Sequence, residues 1–223
     1  RLLKLGEDKK RIHLVGAPQL DDIDYNDLSK KKFLNINNNK IDLNEKYIVL
    51  LQHPVFKDQS NYANLFQKTL TACLKLNCKI YIIYPNYDPG YESIIKKIKS
   101  TKKLFSRIRI FKHIDRGDYL TLVINALALV GNSSSGILES PSLKIGTVNI
   151  GDRQNLREQN RNIYNAKYSV KDIYNKLIIA INSKNNHTNI KNIHGDGKSS
   201  KRIYNILKKI KSSEFLLTKN TTY

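Results

Sequence analysis

No run of apolar residues in this chain approaches the roughly 20 needed to span a bilayer, so a membrane-spanning helix is not expected and the chain reads as soluble. It opens Arg1-Leu2-Leu3-Lys4-Leu5-Gly6, without an initiator methionine or a signal-peptide pattern, and is expected to be a fragment of a longer protein. Cysteine is scarce. Cys73 and Cys78 stand without metal-ligand spacing around them, which argues against a zinc module and for reduced, structural thiols in a cytoplasmic setting. No metal and no cofactor are expected. There is no GxxxxGK[ST] pattern and no glycine set matching GxGxxG after a first strand, which disfavours ATP hydrolysis and NAD chemistry. No internal repeat is visible.

Acidic residues are also few, 19 against 39 lysines and arginines, giving a formal charge of +20 and a pI of 9.8. Such an excess invites a nucleic-acid partner, because neutralised phosphates supply most non-specific affinity. The lysines are spread, however, through Lys30-Lys31-Lys32, Lys96-Lys97 and Lys208-Lys209, and most aromatics lie in strand or helix patterns rather than on a basic face. Solvated helix faces explain that distribution, and no nucleic-acid or membrane partner is expected. A diffuse positive field still favours an anionic small ligand such as a nucleotide diphosphate.

The 223 residues suffice for one full domain with material left at the ends. Short apolar runs occur at 47–51, 79–84, 107–111, 127–130, 146–150 and, more weakly, 166–170. They are nearly continuous rather than alternating, as strands covered on both faces by helices are. Helical spacing fills the gaps at 62–76, 91–98, 119–126 and 170–181. The order β-α-β-α predicts an α/β fold, a parallel sheet with helices on both faces. Polar Asn35–Lys40 reads as a linker, and a basic amphipathic helix is expected from Lys198 to about Lys211, followed by a tail fraying from Ser212.

In such sheets ligands bind beyond the carboxyl ends of the strands. Gly131-Asn132-Ser133-Ser134-Ser135-Gly136 follows one strand and opens a helix, where Ser133 or Ser134 either caps the helix or binds phosphate. Glu139, about a turn and a half further on, either reaches ribose hydroxyls or is an ordinary exposed carboxylate. His53 ends the strand at 47–51 just before Pro54. It is either a structural histidine or the candidate for catalysis, a cation for a diphosphate or an acid toward a leaving phosphate oxygen. Asn86 after the next strand and Arg153 after 146–150 add polar and cationic groups at neighbouring strand ends. Convergence of these loops favours nucleotide binding.

The set Gln52-His53-Pro54-Val55, Pro85-Asn86-Tyr87-Asp88-Pro89-Gly90, Gly131 to Gly136, Gly151-Asp152-Arg153-Gln154 through Arg157-Glu158, and Gly195-Asp196-Gly197 resembles the hydrolysing UDP-N-acetylglucosamine 2-epimerases. The motifs run in family order from Arg11 to about Ile210. The resemblance implies the Rossmann-like C-terminal domain of a glycosyltransferase-B-type two-domain enzyme. Residues 1–40 would be the crossover from a missing N-terminal domain, 41–197 the UDP-binding domain, and 198–223 the basic helix and tail. It implies diphosphate binding by Ser133 and Ser134, ribose binding by Glu139, and contacts from His53, Asn86 and Arg153 to the rest of UDP. His113 and Ile114 would offer main-chain groups to uracil.

The implied reaction eliminates UDP from the sugar nucleotide and adds water, giving N-acetylmannosamine for sialic or related nonulosonic acid synthesis. Gln52-His53-Pro54-Val55 favours the hydrolysing type over the non-hydrolysing one. Relatives that act on a 2,4-diacetamido-trideoxy sugar nucleotide, on the legionaminic acid route, stay open as an alternative. The acid and base carboxylates belong to the first domain in that family, so this chain by itself should bind UDP but hardly turn over. A homo-oligomer, dimer or tetramer, is expected of the complete enzyme. Two other classes compete: a basic nucleic-acid-binding domain, and a non-catalytic interaction module whose loop tyrosines Tyr87, Tyr164 and Tyr168 would face a partner.

Overall fold

The β-branched and leucine-rich runs pair side by side as parallel strands, and their alternate side chains enter two separate cores. The computed structural model describes residues 1–37, 39–56, 61–102 and 105–210. Within it β1 (Phe33–Ile36) and β2 (Asn39–Asp42) form an antiparallel hairpin. β3 (Tyr47–Leu51), β4 (Lys79–Ile83), β5 (Ile108–Phe111), β6 (Leu129–Gly131), β7 (Thr147–Ile150) and β8 (Ile163–Ala166) form a parallel sheet in the order β5-β4-β3-β6-β7-β8. That is the doubly wound Rossmann order, with the switch of direction between β3 and β6. The helices are α1 (Tyr25–Lys30), α2 (Tyr62–Leu74), α3 (Tyr91–Lys102), α4 (Arg116–Ile124), α5 (Ser135–Leu138), α6 (Val170–Asn182) and α7 (Ser199–Leu207).

Strand β3 shows how the two-residue period divides the core. Ile48 and Leu50 join Phe66 and Leu70 of α2, Ile94 and Ile98 of α3, and Ile173 and Leu177 of α6. Tyr47 and Val49 join Leu28 of α1, Leu120 and Val123 of α4, and Leu34 and Ile41 of the hairpin on the other face. Tyr47, Ile48, Val49 and Leu50 are all fully buried. A strand buried on both faces has no polar side to display, which is why its sequence does not alternate. The Tyr47 hydroxyl keeps a partner at depth by donating to the Leu122 carbonyl at 2.8 Å. Cys73 and Cys78 are buried in the α2 side of the core and form no disulfide, and burial pushes both thiols up.

Four expectations shift. The last strand is Ile163–Ala166, not 166–170, and Val170 instead opens α6. As the sheet's edge strand it keeps Ile163 and Tyr164 only half buried and carries polar Asn165, so no apolar run marks it. Of the stretch Asn35–Lys40, read as a linker, Asn35 pairs with Lys40 and Ile36 with Asn39 across β1 and β2, and Asn37 takes a left-handed φ of 51° that asparagine tolerates well. Helix α5 is one turn only, so Glu139 is its C-cap; Pro141 disfavours helical backbone just ahead of it. The basic helix ends at Leu207 rather than near Lys211, and the tail expected to fray from Ser212 lies outside the described residues.

The chain divides into two compact units, Ile23–Ile193 and a second made of Arg1–Asp22 with the chain from His194 onward. In the second unit the Ala17 N–H donates to the His194 carbonyl at 2.8 Å, and the Ser199 N–H donates to Asp21 Oδ1 at 2.9 Å at the start of α7. Asp196 accepts two bonds from Arg202 at 2.6 and 2.7 Å, which holds its carboxyl down at about 2. Among the described residues no helix is long and apolar enough to cross a membrane.

Candidate functional site

Strands β3 and β6 end beside one another at the switch point, and the close approach there requires glycine. Gly131 sits at φ 134°, and a Cβ on it would lie 1.9 Å from the Leu51 carbonyl oxygen. The chain then turns away into Asn132, which is fully buried. Its carboxamide accepts from the His53 N–H at 2.7 Å and donates to the His53 carbonyl at 2.9 Å. The Asn132 carbonyl in turn accepts from Arg153 Nη1 at 3.2 Å and Gln154 Nε2 at 2.9 Å. The ends of β3, β6 and β7 are thereby tied at one residue.

His53 is 5% exposed. Its Nδ1 accepts the Asn86 N–H at 3.0 Å, so the ring proton resides on Nε2. Burial, reinforced by the Arg153 charge and only partly offset by Asp88, lowers its pKa to about 4. The imidazole in this chain is therefore neutral near pH 7. In that state the ring presents its Nε2–H as a hydrogen-bond donor, because protonating Nδ1 would break the bond to Asn86 and charge a buried ring.

After Asn132, the Ser133 hydroxyl accepts the Ser135 N–H at 3.4 Å, while Ser134 makes no side-chain cap. Arg153 lies 3.8 Å from Asp88 and keeps that cation beside the serine turn. His53, Asn86, His113, Ile114, Ser133, Ser134 and Arg153 all line one open cavity of about 520 Å³, together with Tyr84, Lys112 and Tyr119. A hollow of about 590 Å³ lies past the ends of β7 and β8 around Lys167, Tyr168 and Asp172. Of the two, the smaller is the stronger candidate, because it occupies the switch point and gathers polar groups from several strand ends.

Glu139 is the one expected residue that does not line this cavity. Its carboxylate is buried and already engaged, with Arg116 Nη1 donating at 2.7 Å and the Ser135 hydroxyl at 2.7 Å. The Ser135 hydroxyl also meets the hydroxyl of Tyr119, a cavity residue, so Glu139 connects to the cavity wall through two side chains. Asn132, Gln154, Arg116 and Tyr119 were not singled out from sequence. The first lay inside a quoted motif, between two residue types with clearer chemistry. Gln154 likewise lay inside a quoted motif, beside Arg153, while Arg116 and Tyr119 depend on α4 meeting α5, which no local pattern announces. Among the described residues no group of His, Cys, Asp and Glu could hold a metal ion.

The sequence profile of the family described as UDP-N-acetylglucosamine 2-epimerase matches residues 1–208. The chain belongs to that family. It is 33% identical, over all of its length and 58% of the relative's, to UDP-N,N'-diacetylbacillosamine 2-epimerase (hydrolyzing) of Legionella pneumophila. It is 30% identical over 79% of its length, and 46% of the relative's, to UDP-N-acetylglucosamine 2-epimerase of Neisseria meningitidis. The chain thus spans about half the length of these epimerases. Among solved structures it resembles the Methanocaldococcus jannaschii UDP-GlcNAc 2-epimerase in complex with UDP-GlcNAc and UDP. That likeness has a TM-score of 0.70 and 19% identity, over 93% of this chain and 57% of the other, and supports the same glycosyltransferase-B-type Rossmann fold.

Proposed function

We propose that the switch-point cavity is the UDP half-site of a hydrolysing UDP-sugar 2-epimerase, and that the remaining machinery lies outside this chain. The observation that carries this is the meeting of Ser133, Ser134, Arg153, Lys112 and neutral His53 around one opening. Serine hydroxyls and the amides of the turn donate to phosphate oxygens, and the two cations balance the diphosphate charge. The His53 Nε2–H supplies a further donor toward the phosphate oxygen that leaves the sugar, which lowers the cost of breaking the C1–O bond. Asn86, His113 and Ile114 line the same cavity and are assigned to the uridine. Glu139 is assigned to the ribose, reached once Arg116 or Ser135 yields one of its bonds.

The reaction proposed for the whole protein removes the C2 proton and expels UDP, then adds water to the unsaturated sugar to give the free 2-epimer. The relative that matches this chain from end to end names a hydrolysing enzyme and a diacetamido sugar, which supports UDP-N,N'-diacetylbacillosamine as substrate. UDP-N-acetylglucosamine is the second reading, supported by the Neisseria meningitidis relative. Calorimetric titration of this chain with UDP, with GDP and a DNA duplex as controls, tests the half-site; selective UDP binding that Ser134→Ala weakens is expected. Salt-sensitive DNA binding without a UDP signal would overturn the reading. For the full-length protein, phosphorus NMR with each UDP-sugar is expected to show stoichiometric release of UDP from one of them. Conversion to an epimeric UDP-sugar without net release would assign the non-hydrolysing reaction.

A further inference from the structure

The carboxamide of Asn132 does something that the sheet's main chain no longer can. Parallel pairing between β3 and β6 runs through Leu51 and Gly131, and the Asn132 N–H still donates to the Leu51 carbonyl at 3.3 Å. There the backbone leaves the sheet, since Gly131 has already turned to φ 134°. Asn132 Oδ1 and Nδ2 then meet the N–H and the carbonyl of His53, a donor and an acceptor of one residue, at 2.7 and 2.9 Å. A side-chain amide has the same donor and acceptor pair as a peptide group. It continues the ladder by one step beyond the last strand residue, and both of its hydrogen bonds are buried.

We propose that Asn132 is the positioning residue of the cavity, a side-chain extension of the sheet that fixes His53 and Arg153 against one another. The proposal rests on the reading of this cavity as a nucleotide diphosphate site for its consequence, but not for its geometry. His53 is aimed because its backbone is clamped at both N–H and carbonyl while Asn86 holds its Nδ1. Arg153 is aimed because its Nη1 donates to the Asn132 carbonyl beside Gln154, which donates to the same oxygen. Both groups therefore take their place from a residue whose own side chain is sealed from the cavity. The two bonds need both the acceptor Oδ1 and the donor Nδ2 of a carboxamide. Aspartate would put an oxygen against the His53 carbonyl, and leucine would offer neither bond.

The test is the titration of the His53 ring by NMR in this chain, alongside UDP calorimetry, in wild type, Asn132→Leu, Gln154→Leu and Asn162→Leu. Asn162 is a buried asparagine elsewhere in the same unit, donating to the Ser140 hydroxyl and the Ile145 carbonyl, so its leucine variant controls for loss of stability alone. Expected for Asn132→Leu is a His53 titration that moves from about 4 toward the ordinary 6.5, together with a UDP affinity at least tenfold weaker. Gln154→Leu, which removes one bond behind the Asn132 carbonyl, should move both readouts the same way by less, and it carries the test if Asn132→Leu does not fold. Asn162→Leu should leave both unchanged. Wild-type titration and affinity in the folded Asn132→Leu and Gln154→Leu chains would overturn the proposal. If wild type binds no UDP, the nucleotide reading fails, while the His53 titration still decides whether Asn132 positions that ring.

Discussion

At the scale of single residues, the site is governed by which polar atoms are already committed. His53 has one ring nitrogen taken by Asn86 and its backbone taken by Asn132, so it is poised as a neutral donor. Its pH signature follows. Above about pH 6.5 the imidazole is neutral in folded and unfolded chains alike. Between 6.5 and about 4 only the unfolded chain takes up the proton, so folding stability is lost on acidification, about 3 kcal/mol in all by pH 4. Urea unfolding at about pH 7 and about pH 4.5 should show this loss in wild type and a smaller one in His53→Gln. His187, held low by burial beside Arg161, acts in the same direction. Gly131→Ala is expected to cost upward of about 3 kcal/mol in the same assay, since neither its φ nor the Leu51 carbonyl can accept a methyl group. Glu139→Ala should weaken UDP binding in calorimetry by about tenfold, and Glu139→Gln by less, because glutamine can still accept from Ser135.

At the scale of elements, the parallel strands were legible because burial on both faces removes polar positions. The runs at 47–51 and 79–84 give β3 in full and β4 to within a residue. The edge strand β8 was misplaced for the converse reason, since Asn165 and the half-exposed Tyr164 are held by pairing with β7 rather than by hydrophobic patterning. Helix α5 was overestimated because its serines and glycine resemble a helix start, and only Pro141 and the short reach to β7 end it. Helix α2 contributes Phe66 and Leu70 to the core beside β3. Phe66→Ala should therefore cost about 3–5 kcal/mol in urea unfolding, while exposed Tyr204→Ala on α7 should change it by less than about 0.5 kcal/mol.

At the scale of the molecule, a charge of +20 spread over the surface places a long-range positive field around the cavity that holds Lys112 and Arg153. UDP binding should weaken severalfold as salt rises from about 0.1 M to about 1 M, because the screening length shrinks from roughly 10 to roughly 3 Å. Calorimetry across that range checks it, and a salt-independent affinity would assign the binding to short contacts alone. The sequence by itself determined the parallel α/β class, the strand-end location of the candidate cavity and most of that cavity's lining. Those features follow from local composition, where continuous apolar runs must be covered on both faces and polar residues after them must emerge at one end of the sheet. Tertiary structure alone decided that burial holds the His53 pKa down, that Glu139 lies behind the wall in the grip of Arg116 and Ser135, and that Asn132 joins three strand ends. Protonation and hydrogen-bond partnership depend on what approaches from residues tens of positions away, and no local pattern encodes that approach.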